Sequence, residues 1–514
     1  MKPLEFYESI SWAEKTPYFY PPWKYLSNLE TNRIEGHERF ISSIKSINKE
    51  INLYFHFPLC TSKCPFCFYY GEEWNNLKKT QNISSDLFNF KTNYIQMMLK
   101  ELNLWLNNIK IFRNGGSNGD INIKNLYIGG GTPSYWFDNN NDISEFIDSL
   151  KSRININEIK EITFEISPKI VNFEVIEYLK KNFNDKLRLS IGVQSFNENS
   201  LRIIRDLKNS EIESYLKNTI DIINYAQRNN IYYNLDIMWG LRENNVKTEL
   251  NKIKEKVDKY NWKIPQYTFY HIWSPNDLKR EKKYRESLEK SYESIISQRK
   301  DIFNKLSEWG YESNILIEYF TKKDEAKNSY NLEEMEDFDY IGCGLTAHGK
   351  IGNLVYSNDS GYSRYEQYLN NEFLPLEKFY FIDDAEDIKN RRAYLNLRIP
   401  RKTYDLKQLK QLFGEKSSEI ISTYFERINN DKYKLNDEGK YRLPEIMLSK
   451  IGEIVKKKDA WQKKEVYDLC EKVERFIEAD KEVREEKITY ILDILSLDLF
   501  ILLVLFHLVW VSEG

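Results

Sequence analysis

The chain has 514 residues, 41% hydrophobic and 30% charged, with a formal net charge of -3. That length can bury a large core and predicts two or three domains of an ordinary globular protein. The near-neutral balance, with Lys and Arg scattered, excludes a nucleic-acid partner. The five cysteines are too few for a disulfide framework and fit a reducing cytoplasm.

In chain order, the first segment, "MKPLEFYESISWAEKTPYFYPPW", lacks the charged-then-apolar pattern of a signal peptide. Residues 1–45 read as an N-terminal arm. From 46 to 360 a regular beat follows. Candidate strands are "INLYFHF" (51–57), "NLYIGG" (125–130), "EITFEIS" (161–167), "RLSIGVQ" (188–194), "YYNLDIMWG" (232–240) and "QYTFYHI" (266–272). Each is short, rich in β-branched or aromatic residues and followed by a polar turn. Amphipathic stretches such as "EVIEYLKKNF" and "IESYLKNTIDIINYAQRNN" lie between them. Alternating strands and helices predict a parallel α/β sheet of six units, a partial barrel. Barrel active sites form at the carboxyl ends of the strands. The cysteine loop after the first strand, "GGGTPS", Glu165, Gln194 and Asp236 all fall there.

The beat changes near residue 361. The segment 361–455 reads as a smaller helical or winged-helix-like domain. A charge-rich helical extension follows over 456–514, and it ends in "LFILLVLFHLVWV" (499–511). That run is shorter than the ~20 apolar residues of a membrane helix, and Asp493 and Asp498 interrupt any extension. A buried or interface helix and a C-terminal membrane association are both open for this tail.

The motif "LYFHFPLCTSKCPFC" sets Cys60, Cys64 and Cys67 at C-x3-C-x2-C spacing. Thiolates so spaced can wrap one face of a metal centre. A zinc site would want a fourth ligand nearby, but Cys343 and Cys470 are isolated and His56 precedes the loop. A four-iron cubane held by three thiolates would leave one iron open to a substrate. A zinc loop or three buried thiols is the alternative.

C-x3-C-x2-C after a Y-x-H-x-P strand resembles the signature of radical S-adenosylmethionine (SAM) enzymes. With "YIGGGTPS", "ITFEISP", "RLSIGVQSF", "NLDIMWGL" and "DYIGCGLTAHG" in order, the chain looks like the oxygen-independent coproporphyrinogen III oxidase branch. The resemblance spans about 50–350, and more loosely reaches 455. It implies that Cys60, Cys64 and Cys67 hold a [4Fe-4S] cluster whose open iron chelates SAM. It also implies cofactor contacts at Tyr54, Phe66, Gly130, Gly131, Thr132, Glu165, Gln194, Asp236, Tyr270 and His348. The family places a carboxylate-binding arginine twelve residues after the matched glutamine. Here that position is Asp206, and Arg205 would serve if the preceding helix were one residue shorter. The branch implies room for a second SAM beside the first.

Two departures separate this chain from named members of the branch. The oxidase carries a fourth cysteine where this chain has Tyr69. A heme-chaperone relative carries H-N-x-x-Y-W where this chain has "YNLEEM" (330–335). "CFYYGEEW" after the cluster loop resembles methylating and heme-cleaving relatives. The expectation is therefore C-methylation or methylene transfer to an sp2 carbon of a heteroaromatic or tetrapyrrole. Heme cleavage or oxidation of a coproporphyrinogen-like tetrapyrrole is the alternative, and a heme-binding chaperone represents another class. No second cluster motif occurs, so an external flavodoxin or ferredoxin is expected to supply electrons.

Overall fold

The computed structural model describes residues 33–446, apart from 68, 114–120, 138–139, 273–285, 290–291, 314, 323–328, 383–384, 415–416, 430 and 444–445. Most of the N-terminal arm and all of the 456–514 extension, with its apolar tail, lie outside the described residues. Among the described residues, no helix is long and apolar enough to cross a membrane.

The expected strands form as β1 (Glu50–Phe57), β2 (Asn122–Gly130), β3 (Glu161–Ile166), β4 (Leu187–Gln194), β5 (Tyr232–Trp239) and β6 (Gln266–His271). They pair in parallel in that order. The interleaved helices include α1 (Leu87–Phe112), α2 (Asn140–Lys151), α3 (Phe173–Phe183), α4 (Glu198–Ile204), α5 (Asn209–Arg228), α6 (Val246–Tyr260) and α7 (Tyr292–Glu308).

A parallel strand absent from the expected set, β9 (Tyr340–Cys343), pairs with the other side of β1. It carries "DYIGCG", read above only as a motif. The antiparallel strands β7 (Tyr311–Ser313) and β8 (Tyr319–Lys322) extend the sheet beyond β6. The strands β10 (His348–Ile351), β11 (Leu354–Asn358) and β12 (Leu376–Phe381) extend it beyond β9. The result is a 12-stranded sheet running β12-β11-β10-β9-β1-β2-β3-β4-β5-β6-β8-β7. This mixed α/β architecture agrees with the expected open barrel.

The two faces of the parallel strands differ in chemistry because side chains alternate along each strand. One face is apolar and packs on the helices: Leu53, Phe55, Leu126, Ile128, Phe164, Leu189, Ile191, Leu235 and Phe269 are all buried in one core cluster. The other face is polar: Asn52, Asn125, Thr163, Arg188, Asn234, Gln266 and Thr268 are buried but hydrogen-bonded. Buried polar groups are tolerated when they pair with one another. Asn234 donates to Asp236 at 2.7 Å, Thr268 donates to Asn234 at 2.7 Å, and Arg188 donates to Gln266 at 2.8 Å. These bonds fix the floor on which the site stands.

After β12, the helix Ala385–Asn396 leads into a small three-stranded sheet. It is built from β13 (Tyr404–Asp405), β15 (Lys432–Leu435) and β14 (Phe425–Asn429), flanked by the helices Leu406–Phe413, Ser417–Tyr424 and Asp437–Tyr441. Leu395, Leu397, Leu409, Leu412, Phe413 and Phe425 form its core. That core joins Ile315, Leu316 and Ile317 of the barrel's edge. Ile317 N–H donates to the Arg398 carbonyl at 2.9 Å, which locks the two regions together.

Candidate functional site

The cysteine loop leaves β1 and is bracketed by a short parallel ribbon, Leu59–Cys60 against Glu72–Glu73. Inside it the Cys67 N–H donates to the Cys64 carbonyl at 3.0 Å, which makes a tight turn. The Lys63 ammonium ties the loop's two limbs by donating to the carbonyls of Tyr69 (2.9 Å) and Gly71 (2.8 Å). Cys60, Cys64 and Cys67 are thiols rather than disulfides, and all three line one cavity.

The "GGGT" turn at the end of β2 is zipped against this loop. Gly131 N–H donates to the Phe57 carbonyl at 2.7 Å, and Thr132 N–H to the Leu59 carbonyl at 2.8 Å. A Cβ on Gly131 would come within 2.6 Å of the Leu59 carbonyl oxygen. Gly130 has φ +113°, a conformation that glycine takes without steric cost. Thr132 Oγ1 stands 3.6 Å from Cys60 Sγ. Burial pushes the Cys60 thiol up to about 12, with the nearby Cys67 adding to the effect. A bound cationic iron centre would reverse that shift.

Two carboxylates face the cavity from strand ends. Glu165 accepts from Tyr127 OH (2.8 Å) and from Gly130 N–H (3.0 Å). Asp236 accepts from Asn234 (2.7 Å) and Ser190 (3.0 Å). Burial raises both, Glu165 to about 7 and Asp236 to about 6. Hydroxyls or an ammonium of a ligand would offset that cost.

Gln194 ends β4 with φ 64°, and its Oε1 is buried without a hydrogen-bond partner. An orphaned buried acceptor costs about 1–3 kcal/mol, which a ligand's donor would recover. Arg205 closes α4, and the next residue, Asp206, is left-handed at φ 52°. Arg205 is buried at the cavity wall, with Nη1 3.0 Å from Cys64 Sγ and Nη2 donating to Ser167 Oγ at 2.7 Å. Asp206 is not among the lining residues.

Tyr54 OH sits 2.8 Å from His56 Nδ1, while His56 Nε2 sits 2.7 Å from the Tyr70 carbonyl. A carbonyl only accepts, so Nε2 carries the proton and Nδ1 accepts from Tyr54. Burial lowers His56 to about 4 and His348 to about 3, which keeps both neutral. Phe66 packs with Ile204, Leu241 and Ile272. Tyr270 OH is 2.9 Å from Tyr319 OH.

A single cavity of about 680 Å³ is walled by every residue named for cofactor or metal contact in the sequence reading. That volume is in the range of small-molecule sites. No site role follows from the sequence for Tyr127, Ser190 or Asn234, although strand alternation places each on the polar face beside Glu165 or Asp236, and His56 stands out only before the cysteine loop in the Y-x-H-x-P strand. Of the far wall, Tyr330, Asn331 and Glu334 stand out in the sequence only where "YNLEEM" departs from a relative's motif, and Tyr319 and Arg398 carry no motif.

Residues 54–251 match the radical SAM superfamily model. The chain is 30% identical over 303 residues to the heme chaperone HemW of Buchnera aphidicola subsp. Schizaphis graminum, covering 59% of this chain and 70% of that protein. The chain belongs to the radical SAM superfamily, in its coproporphyrinogen-oxidase-like branch. It is also 22% identical over 356 residues to the oxygen-independent coproporphyrinogen III oxidase of Escherichia coli, covering 67% of this chain and 71% of that one. The solved structure of that radical SAM oxidase, HemN, overlays with a TM-score of 0.62 at 16% identity, covering 84% of this chain and 98% of the other. That likeness is one of fold.

Membership in this superfamily implies a [4Fe-4S] cluster and SAM, and the residues present fit both. Three thiols line one wall beside a glycine turn that brings backbone close, and the unpartnered Gln194 oxygen and two half-buried acids face the same space. Among the described residues, no three of His, Cys, Asp and Glu converge on one metal-ion position. A cluster, unlike a single ion, is held by thiolates set apart around it.

Proposed function

We propose that this radical SAM protein is an enzyme that transfers a methyl or methylene group from a second SAM to an sp2 carbon of a heteroaromatic or tetrapyrrole. The observation that carries this reading is at Tyr69. It holds the place of the oxidase's fourth cysteine, and its side chain is half exposed. The chain otherwise keeps the SAM-facing set.

When bound, a reduced cluster supplies the electron that splits SAM into methionine and a 5′-deoxyadenosyl radical. In this reading Cys60, Cys64 and Cys67 hold the cluster, and Gly130, Gly131 and Thr132 receive the amino-acid end of SAM through backbone. Glu165 and Asp236 accept from its hydroxyls, Gln194 takes a donor, and Arg205 binds a carboxylate. Tyr54, Phe66, Tyr270 and His348 complete the wall and keep water away from the reacting atoms. An external flavodoxin or ferredoxin delivers the electron.

A second reading, tetrapyrrole oxidation or heme handling, is favoured by the heme chaperone and the coproporphyrinogen oxidase to which the chain is similar. Methyl-deuterated SAM separates the two. The protein is reconstituted anaerobically with iron and sulfide, reduced with dithionite and given candidate substrates. Deuterium carried from the SAM methyl into 5′-deoxyadenosine, with a methylated product, is the expected result. Unlabelled 5′-deoxyadenosine with an oxidised or cleaved tetrapyrrole would replace this reading with the second. No 5′-deoxyadenosine under any condition would remove the enzyme altogether and leave a heme-binding protein.

A further inference from the structure

The cavity does not end at the SAM-facing residues. It continues past Tyr54 to a far wall supplied by the helix Ser329–Met335, β8 and the C-terminal unit, including Tyr319, Tyr330, Asn331, Glu334 and Arg398. We propose that Glu334 accepts a ring N–H from a flat heteroaromatic substrate seated among Tyr54, Tyr127, Tyr319 and Tyr330. This rests on the reading that the protein acts on such a substrate, and it names the group that selects it.

The wall is aromatic and mutually supported. The Tyr127 and Tyr330 rings stand 5.1 Å apart, Tyr54 and Tyr127 5.8 Å, and Tyr54 and Tyr330 6.5 Å. Asn331 donates to Tyr319 OH at 3.1 Å, and that hydroxyl meets Tyr270 OH at 2.9 Å, which fixes the Tyr319 ring. Edges and faces so arranged accept a planar ring. The helix is anchored from below. Glu333 accepts from Asn125 at 2.9 Å and pairs with Lys124. Its neighbour Glu334 therefore cannot swing far from the cavity.

The cavity's other acids are each tied to neighbours, Glu377 to Arg364 at 3.7 Å. Glu165 and Asp236 each accept two hydrogen bonds. Glu318 accepts from Arg398 at 2.7 Å. Glu334 is hydrogen-bonded to Tyr340, which leaves acceptor sites on a two-oxygen carboxylate. Arg398 and Arg391 stand near enough to be felt by Glu334. Each is held by another acid, Arg398 by Glu318 and Arg391 by Asp337 at 2.6 Å. A full cation here would be repelled by these guanidiniums, and an anion by Glu334. A neutral N–H donor meets neither penalty. Tyr54 is within electrostatic reach of both Glu165 and Glu334, so the ring would lie beside the SAM-facing acids.

The test uses the reconstituted full chain and fluorescence titration with two probe pairs. Carbazole and N-methylcarbazole share a ring system and differ in the N–H. A dipyrromethane and its N,N′-dimethyl derivative differ in the same way for a tetrapyrrole fragment, with pyrrole N–H groups that point outward. The wild type is expected to bind the N–H member of one pair about 10-fold more tightly, the scale of one charge-assisted hydrogen bond. Preference within the carbazole pair identifies a simple heteroaromatic, and preference within the dipyrromethane pair a tetrapyrrole. Glu334→Leu should erase the preference and Glu334→Gln should reduce it. Cluster absorbance and far-ultraviolet dichroism of Glu334→Gln should match wild type, which shows an intact fold and cluster loop. Equal binding within both pairs, binding of neither, or a preference that survives Glu334→Leu overturns the inference. Wild type that forms no 5′-deoxyadenosine instead marks failure of the enzyme reading.

Discussion

The two ends of the cavity are built differently. At the cluster end, the parts that touch lie in recognisable motifs, some of them far apart in the chain: Lys63 closes its own loop, and Thr132 and Gly131 zip onto the exit of β1. At the far end, the parts that touch lie outside any matched motif: Asn331 meets Tyr319, and Arg398 meets Glu318. Chemistry demanded at one fixed geometry is written in motifs, while the shape that admits a particular substrate is left to packing between residues that no motif marks. The cluster end should therefore respond to substitution with loss of function at near-constant stability. Buried polar ties away from the site should respond with loss of stability.

The largest effect is expected from Cys60→Ala, Cys64→Ala or Cys67→Ala. Each should leave the reconstituted protein without its cluster absorbance and reduce 5′-deoxyadenosine below detection, with the far-ultraviolet dichroism unchanged. Next is Gly131→Val, whose Cβ would lie 2.6 Å from the Leu59 carbonyl. The turn must move, and kcat/KM for SAM should fall on the order of 100-fold. Retained activity would show that the turn is not a close-approach surface.

Glu101 is the contrasting case. It is fully buried in α1 and accepts from Gly344 N–H (2.9 Å), Asn358 (2.7 Å) and Tyr365 OH (2.6 Å). Glu101→Leu strands those donors and should cost about 3 kcal/mol in urea unfolding. Burial also raises its carboxyl from 4.5 to about 7. A raised acid favours the folded state while protonated. Its stabilisation is whole below the ordinary value and is lost as pH rises through about 7. Wild-type stability should therefore fall across that window by up to roughly 1.4 kcal/mol per pH unit from this group. Glu101→Gln should flatten the slope, and an unchanged slope would assign the proton elsewhere.

The smallest effect is expected at Glu165→Gln, which keeps the shape and removes the charge. The KM for SAM should rise about 10-fold with kcat little changed. A change in kcat alone would move Glu165 from binding to chemistry.

The six parallel strands were legible because each is a short apolar-polar alternation bounded by polar turns, and their order followed from the helices between them. The fourth position, β9, was hidden because "YIGC" is short and glycine-broken, so it read as motif rather than strand. Arg205 was ambiguous by one residue. The left-handed turn at Asp206 that points Arg205 inward is a backbone conformation that residue spacing does not encode. Glu334 was legible only as a mismatch to a relative's motif. Its place in the cavity depends on Glu333 reaching back to Asn125 and Lys124, a contact that no local pattern announces.

The central claim is tested most directly by electron-nuclear double resonance on the dithionite-reduced, reconstituted protein with SAM labelled with 15N at its amino group and 17O in its carboxylate. A hyperfine coupling to both labels, present in wild type and lost on omission of SAM, is the predicted result, because three thiolates leave one iron for the ligand. A reduced cluster that shows neither coupling and carries a fourth protein ligand would contradict the account.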